Sequence, residues 1–298
     1  MTETFRIALW SVNLGAASAS MAGWLERVEE RIVEARSGGA RLLLMPEYVS
    51  ECFLAWKPAG LAPTGEIAWM ASQAPKALEG LRKLVDRHGV SLVAGSMPWA
   101  VDGGHTNRTT ALLADGRTIH FDKLCLTPQE QDKQSWDLVP GNRLSVFELD
   151  GVRIALLICL DIEMPALSGL LAPVKPDLVL VPSMTSQLSG YHRVYGCAKA
   201  RAIELMASVA VCGTVGAAEG TTQCPTNVSG AALYVPCEPE LGFAGIAAEH
   251  PPVDGTKGEE PFLVADVPVG AVRRLRAGGA EVWPGTWSVA HVAPAVIE

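Results

Sequence analysis

Three residues of complementary chemistry, Glu47, Lys123 and Cys159, each follow directly on a segment that reads as a strand. Arg41-Leu42-Leu43-Leu44-Met45 leads into Pro46-Glu47, Thr118-Ile119-His120-Phe121-Asp122 into Lys123, and Val152-Arg153-Ile154-Ala155-Leu156-Leu157-Ile158 into Cys159. A thiol attacks an electrophilic carbon, a carboxylate moves protons to and from it, and an ammonium stabilises the oxyanion that forms. Each residue also has a plainer role. Glu47 would cap a turn, Lys123 would be a solvated strand end, and Cys159 would be a buried structural cysteine, which most free cysteines are. The coincidence of all three at strand ends is less easily dismissed, because ligands of open α/β sheets sit at the carboxyl ends of strands.

The run 152–158 is short, β-branched and almost wholly apolar, which predicts a strand buried on both faces. Pro165 suits the first turn of a helix that residues 166–171 continue. Cys159 is thereby expected just ahead of a helix N-terminus, where N–H groups and the macrodipole favour a thiolate.

The elements that must position these residues alternate. Residues 5–12, 41–45 and 91–97 read as strands, separated by an amphipathic helix around Trp24, Val28 and Ile32 and a second helix over 75–88. A Pro- and Gly-rich loop is expected over 50–65; Cys52, Phe53, Trp56 and nearby Trp69 suit a pocket wall or an interface, with ordinary core packing as the plainer account. Hairpins follow, with strands at 109–114, 118–122, 144–149 and 152–158 joined through Asp115-Gly116 and Asp150-Gly151. Further strands are expected at 178–181, 208–212, 231–235 and 262–266, with a long helix over 191–206. This order predicts an α/β layered fold with mixed sheets.

Composition narrows the function. The chain has 298 residues, nearly half of them hydrophobic, enough for a large core. A formal net charge of −8 argues against a general nucleic-acid partner. Seven cysteines, an odd number without a C-x-x-C pair, suggest neither a disulfide framework nor structural zinc. With no signal-peptide pattern and no apolar run of membrane-spanning length, no membrane association is expected, and a cytoplasmic location fits best.

Leu44-Met45-Pro46-Glu47-Tyr48, Asp122-Lys123-Leu124-Cys125-Leu126-Thr127-Pro128 and Ile158-Cys159-Leu160-Asp161-Ile162-Glu163-Met164-Pro165 resemble, in order and spacing, the three signature segments of the nitrilase superfamily of carbon–nitrogen hydrolases. The resemblance runs from about residue 5 to about residue 268. It is nearest to the branch often fused to an acetyltransferase domain, through Gly190-Tyr191, residues 198–204 and Gly245-Ile246-Ala247-Ala248-Glu249; the chain is too short for that extra domain. The resemblance implies a four-layer αββα sandwich over 1–270, a C-terminal tail over 271–298 packing at an oligomer interface, and no metal or organic cofactor.

Carried over, Cys159 is the nucleophile, Glu47 the general base and acid, and Lys123 the oxyanion stabiliser, joined by the backbone N–H of Leu160. Glu130 falls where a second carboxylate positions the substrate; otherwise it is an exposed acid of a polar run. Two neighbouring carboxylates would raise the pKa of Glu47 while Lys123 would lower it, which leaves the direction open. Leu160 replaces an aromatic residue, while Asp161, retained, favours amides over nitriles. Ala166, Leu205 and Cys125 depart from the common Glu, Asn and His. The expected function is hydrolysis of a small non-peptide amide through a cysteine thioester. A nitrile or carbamoyl hydrolase on the same residues is the alternative, and a catalytically weak binding scaffold is another. A homodimer or larger even oligomer is expected, with the 190–206 helix and the Trp283/Trp287 tail at the interface.

Overall fold

In a computed structural model, residues 3–16, 18–218, 225–283 and 289–293 are described. The first strand, β1 (Phe5–Trp10), divides its side chains between two cores, Ile7 and Leu9 to one side and Ala8 and Trp10 to the other. That period-two alternation on an apolar strand buries both faces of a sheet. The chain continues through α1 (Met21–Ser37), β2 (Leu42–Leu44), α2 (Glu66–His88), β3 (Ser91–Val101), β4 (Gly104–Leu112), β5 (Thr118–Asp122) and the short α3 (Pro128–Gln131). The second half comprises β6 (Val146–Leu149), β7 (Val152–Leu156), α4 (Pro165–Leu171), β8 (Leu178–Ser183), α5 (Leu188–Leu205), β9 (Ser208–Gly213), β10 (Ser229–Tyr234), β11 (Ile246–Val253), β12 (Phe262–Val267) and α6 (Val269–Arg274).

The strands form two six-stranded mixed sheets, ordered β12-β1-β2-β3-β4-β5 and β11-β10-β9-β8-β7-β6. At the centre of each, three strands run parallel, β1-β2-β3 in one and β7-β8-β9 in the other. Leu42 and Leu44 of the first sheet share a core with Ile154, Leu156 and Leu180 of the second. Trp24, Val28 and Ile32 of α1 and Leu81 of α2 cover the outer face of the first sheet, and Val194 and Ala198 of α5 cover the second. The result is the expected αββα sandwich.

The differences from the sequence reading have local causes. Helix α2 begins at Glu66 and carries Pro75 inside it. An interior proline costs about 3 kcal/mol, but the earlier turns bury Ile67, Met70, Ala71 and Ala74, and one large apolar side chain contributes about 2 kcal/mol. Part of the expected loop is a 3-10 helix, Val49–Trp56. Its Phe53 packs edge-on against Trp24 at 5.0 Å, and Cys52 and Phe53 are buried in the core beneath α1 and α2, so core packing prevails over a pocket wall. Strand β11 has no strand signature in the sequence because it is an exposed sheet edge that tolerates Pro251 and Pro252.

The basic run at 273–276 closes on its own subunit, with Arg273 and Arg276 both paired to buried Asp177. Trp283 donates its indole N–H to the Glu204 carbonyl at 3.3 Å, while residues 284–288, including Trp287, lie outside the described residues. No helix among the described residues is long and apolar enough to cross a membrane.

Candidate active site

Glu47 is suspended between the two sheets. Its own N–H bonds to Ser183 O of β8 at 3.2 Å, while the preceding Pro46 carbonyl accepts from Ser96 N of β3 at 3.2 Å. That approach needs a glycine: Gly95 has φ +64, and a Cβ there would sit 2.2 Å from Pro46 O. The register shift in β3 between Val93 and Ser96 is the corresponding bulge. Lys123 leaves β5 with its N–H on Asn107 O at 2.9 Å and its carbonyl on Gly141 N at 2.7 Å.

Cys159 opens a 3-10 turn, Cys159–Glu163, with φ 47, a left-handed conformation unusual for a non-glycine residue and concentrated at functional sites. Asp161 holds this turn. Its carboxylate accepts Ile158 N at 3.0 Å, Cys125 N at 2.7 Å and Leu124 N at 3.2 Å, tying the turn that presents the thiol to the segment after Lys123. Ser183 Oγ lies 3.6 Å and Met184 O 3.5 Å from Cys159 Sγ.

The side chains meet at the inner end of a cavity of about 510 Å³ lined by Glu47, Lys123, Glu130, Cys159 and Leu160, with Tyr48 and Trp136 among the walls. Lys123 Nζ donates to Glu47 Oε1 at 2.8 Å and to Glu130 Oε1 and Oε2 at 2.9 and 2.8 Å. All three side chains are only 1–2% exposed, so the exposed-acid alternative for Glu130 is wrong. Glu130 is the third residue of α3 and completes a capping box: its N–H bonds to Thr127 Oγ1 at 3.2 Å, and its Oε2 accepts Thr127 N at 2.8 Å. Tyr48 Oη donates to Glu130 Oε1 at 2.6 Å, and Asn107 Nδ2 donates to Glu47 Oε1 at 2.9 Å.

Burial pushes the Glu47 carboxyl up to about 7, with Glu130 adding to the rise and Lys123 opposing it. The direction left open by the sequence is therefore upward. Glu130 moves down, because its bonds to Lys123, Tyr48 and Thr127 outweigh burial. Lys123 moves up, because Glu47 and Glu130 outweigh its own desolvation. The Cys159 thiol is pushed well up by burial and by the Glu47 charge. This overturns the expected thiolate. The helix of Pro165 starts six residues further on, and the Glu47 charge raises the thiol more than the Lys123 charge lowers it. The carboxylate that acts on the Cys159 thiol is that of Glu47.

Tyr48, Asn107 and Ser183 escaped the sequence reading. Tyr48 carried a signal in its adjacency to Glu47; Asn107, within β4, and Ser183, at the end of β8, carried none. Among the described residues, no group of three or more His, Cys, Asp or Glu could hold a metal ion.

An αββα sandwich with this buried array beside a thiol has the architecture of the nitrilase superfamily. The carbon-nitrogen hydrolase family profile matches residues 7–232, and the chain belongs to that family. The chain is 29% identical over 196 residues to the probable hydrolase YhcX of Bacillus subtilis, a match spanning 66% of this chain and 37% of that longer protein. It is 27% identical over 194 residues to the omega-amidase NIT2 of Danio rerio, covering 62% of this chain and 65% of that protein. The crystal structure of an amidase from Nesterenkonia sp. superposes with a TM-score of 0.68 at 23% identity, over 93% of this chain and 95% of that one.

Proposed function

We propose that this carbon–nitrogen hydrolase cleaves a small non-peptide amide to a carboxylate and ammonia or an amine, through a thioester on Cys159. The observation that carries the reading is the Lys123 ammonium fixed at 2.8 Å between Glu47 and Glu130, in the same cavity floor as Cys159. The omega-amidase and amidase similarities support the amide as substrate class.

Ionised Glu47 takes the thiol proton as Cys159 Sγ bonds to the amide carbon. The carbonyl π pair moves onto oxygen, where the Lys123 charge and the Leu160 N–H stabilise it. Collapse of this intermediate breaks the C–N bond as Glu47 returns its proton to nitrogen, leaving the thioester. A water then gives a proton to Glu47 and attacks the thioester carbon. The C–S bond breaks, and the departing sulfur recovers the proton. A carboxyl with a pKa of about 7 suits both directions of transfer near neutrality. Glu130, bonded to Lys123 through both oxygens, holds the ammonium in place and positions the substrate.

The test is intact-protein mass spectrometry with an activated ester. Glu47→Gln keeps the size of the side chain but activates no water, so a stable acyl adduct should accumulate on Cys159, and Cys159→Ala should show none. An adduct on Cys125 or Cys52, or substantial amide hydrolysis by Cys159→Ala, refutes the assignment. Ammonia release across amides, carbamoyl compounds and nitriles then fixes the substrate class.

A further inference from the structure

At the outer part of the same cavity lies a second charged pair that the hydrolytic steps do not use. Glu163 closes the 3-10 turn begun by Cys159, and Arg193 stands on α5; both line the cavity. Arg193 Nε lies 3.3 Å from Glu163 Oε2, with side-chain exposures of 63% and 15%. This is the one polar contact of the Arg193 guanidinium among the described residues. Its Nη2 lies over the start of α5, 3.8 Å from where a Cβ on Gly190 would be. The terminal nitrogens of the guanidinium fork remain available, in the geometry that grips a carboxylate with two parallel bonds.

An ion pair merely fastening α5 to the turn would be redundant, because buried Arg201 already does so. Its Nε donates to Ile162 O at 3.2 Å and its Nη2 to Glu163 O at 3.4 Å. Those bonds fix the backbone of Glu163 and leave its carboxylate to the cavity.

We infer that Glu163 and Arg193 form a specificity site for a zwitterionic amino-acid head group, Arg193 taking the α-carboxylate and Glu163 the α-ammonium, so that the amide cleaved at Cys159 is the side-chain amide of an amino acid. The inference rests on the amide-hydrolase reading above and deepens it. Charge supports a zwitterion over a simple anion. The cavity is lined by three carboxylates, Glu47, Glu130 and Glu163, against two cations, Lys123 and Arg193, so a second net negative charge would be repelled from its inner end. A zwitterion brings no net charge and satisfies both members of the pair. A cavity of about 510 Å³ falls in the range that encloses small ligands.

Four probes on one carbon skeleton separate the contributions: butyramide, glutaramate with the carboxylate alone, 4-aminobutyramide with the ammonium alone, and L-glutamine with both. The expected result is a kcat/KM for glutamine at least tenfold above that for butyramide. In Arg193→Gln the glutamine-to-butyramide and glutaramate-to-butyramide ratios should each fall about tenfold, mainly through KM, with partial recovery in Arg193→Lys. In Glu163→Gln the loss should fall instead on glutamine and 4-aminobutyramide. Calorimetry on Cys159→Ala, with and without the same substitutions, reads head-group binding without turnover. Wild-type hydrolysis of all four probes at similar kcat/KM, with ratios unmoved in both variants, overturns the head-group site and leaves the amidase reading standing. Glutamine binding that is weakened tenfold by Arg193→Gln, in a wild-type protein that cleaves none of the probes, overturns the amidase reading and leaves the head-group site standing.

Discussion

Glu47→Gln should make the protein inactive and, above neutral pH, more stable. In the folded protein the Glu47 carboxyl has a pKa of about 7 against an ordinary 4.5, with burial the largest cause. Ionising it in place therefore costs the folded state about 3 kcal/mol relative to ionising it in the unfolded chain. The sign follows from the raised value. The Glu47 contribution to wild-type stability is fully present below pH 4.5, falls as pH climbs, and is lost once pH passes about 7. A glutamine stays neutral throughout. Its side-chain oxygen still accepts from Lys123 Nζ and Asn107 Nδ2, since both bonds land on Oε1 alone. The variant and the wild type should match near pH 4 and separate by about 3 kcal/mol at pH 8.5, equivalent to a Tm difference of about 6 °C in a chain of this size. Urea unfolding at both pH values, with amide hydrolysis measured in parallel, makes the comparison. A stability difference that stays flat with pH, or a Glu47→Gln protein less stable at pH 8.5, would refute the account of Glu47 as a carboxyl held near neutrality by burial.

The same carboxyl sets an expected pH dependence of rate. In the proposed mechanism Glu47 accepts the thiol proton only when ionised, so kcat/KM should be full at alkaline pH and fall as pH drops through about 7; an acid limb near 4.5 would point to a different base. Asp161→Asn leaves one acceptor oxygen for three N–H groups and turns an amide nitrogen toward at least one of them, so it should cost about 2 kcal/mol and lower kcat about tenfold, as read by urea unfolding and steady-state kinetics. Leu170 on α4 and Leu188 and Ile203 on α5 are exposed, and Trp283 meets the end of α5. We therefore expect a homodimer through this face, with twice the 31.5 kDa chain mass by light scattering, and Leu188→Glu with Ile203→Glu should give monomers; a monomeric wild type at micromolar concentration would contradict it.

Local pattern carried much of this protein. The alternation of apolar strands with amphipathic helices defined the layered α/β class, because a strand or helix must bury the face it presents. Arg41 to Met45 and Val152 to Ile158 marked the central parallel strands, and the residues at their ends, Glu47 and Cys159, were legible from position alone. Lys123 stood out in the same way, at the end of 118–122, and the signature segments added Glu130. What sequence could not decide was the electrostatic state of these groups. A cysteine near a helix start suggested a thiolate, yet Cys159 is a raised thiol and Glu47 a raised carboxyl, because desolvation depends on how deeply two sheets enclose the site. Glu130 read as an exposed acid or a site residue until α3 folded it under Tyr48. Asn107, Ser183 and the Glu163–Arg193 pair entered only with the tertiary structure. Their partners lie 60, 24 and 30 residues away in the chain, and no local periodicity encodes a meeting between elements that only sandwich packing brings together.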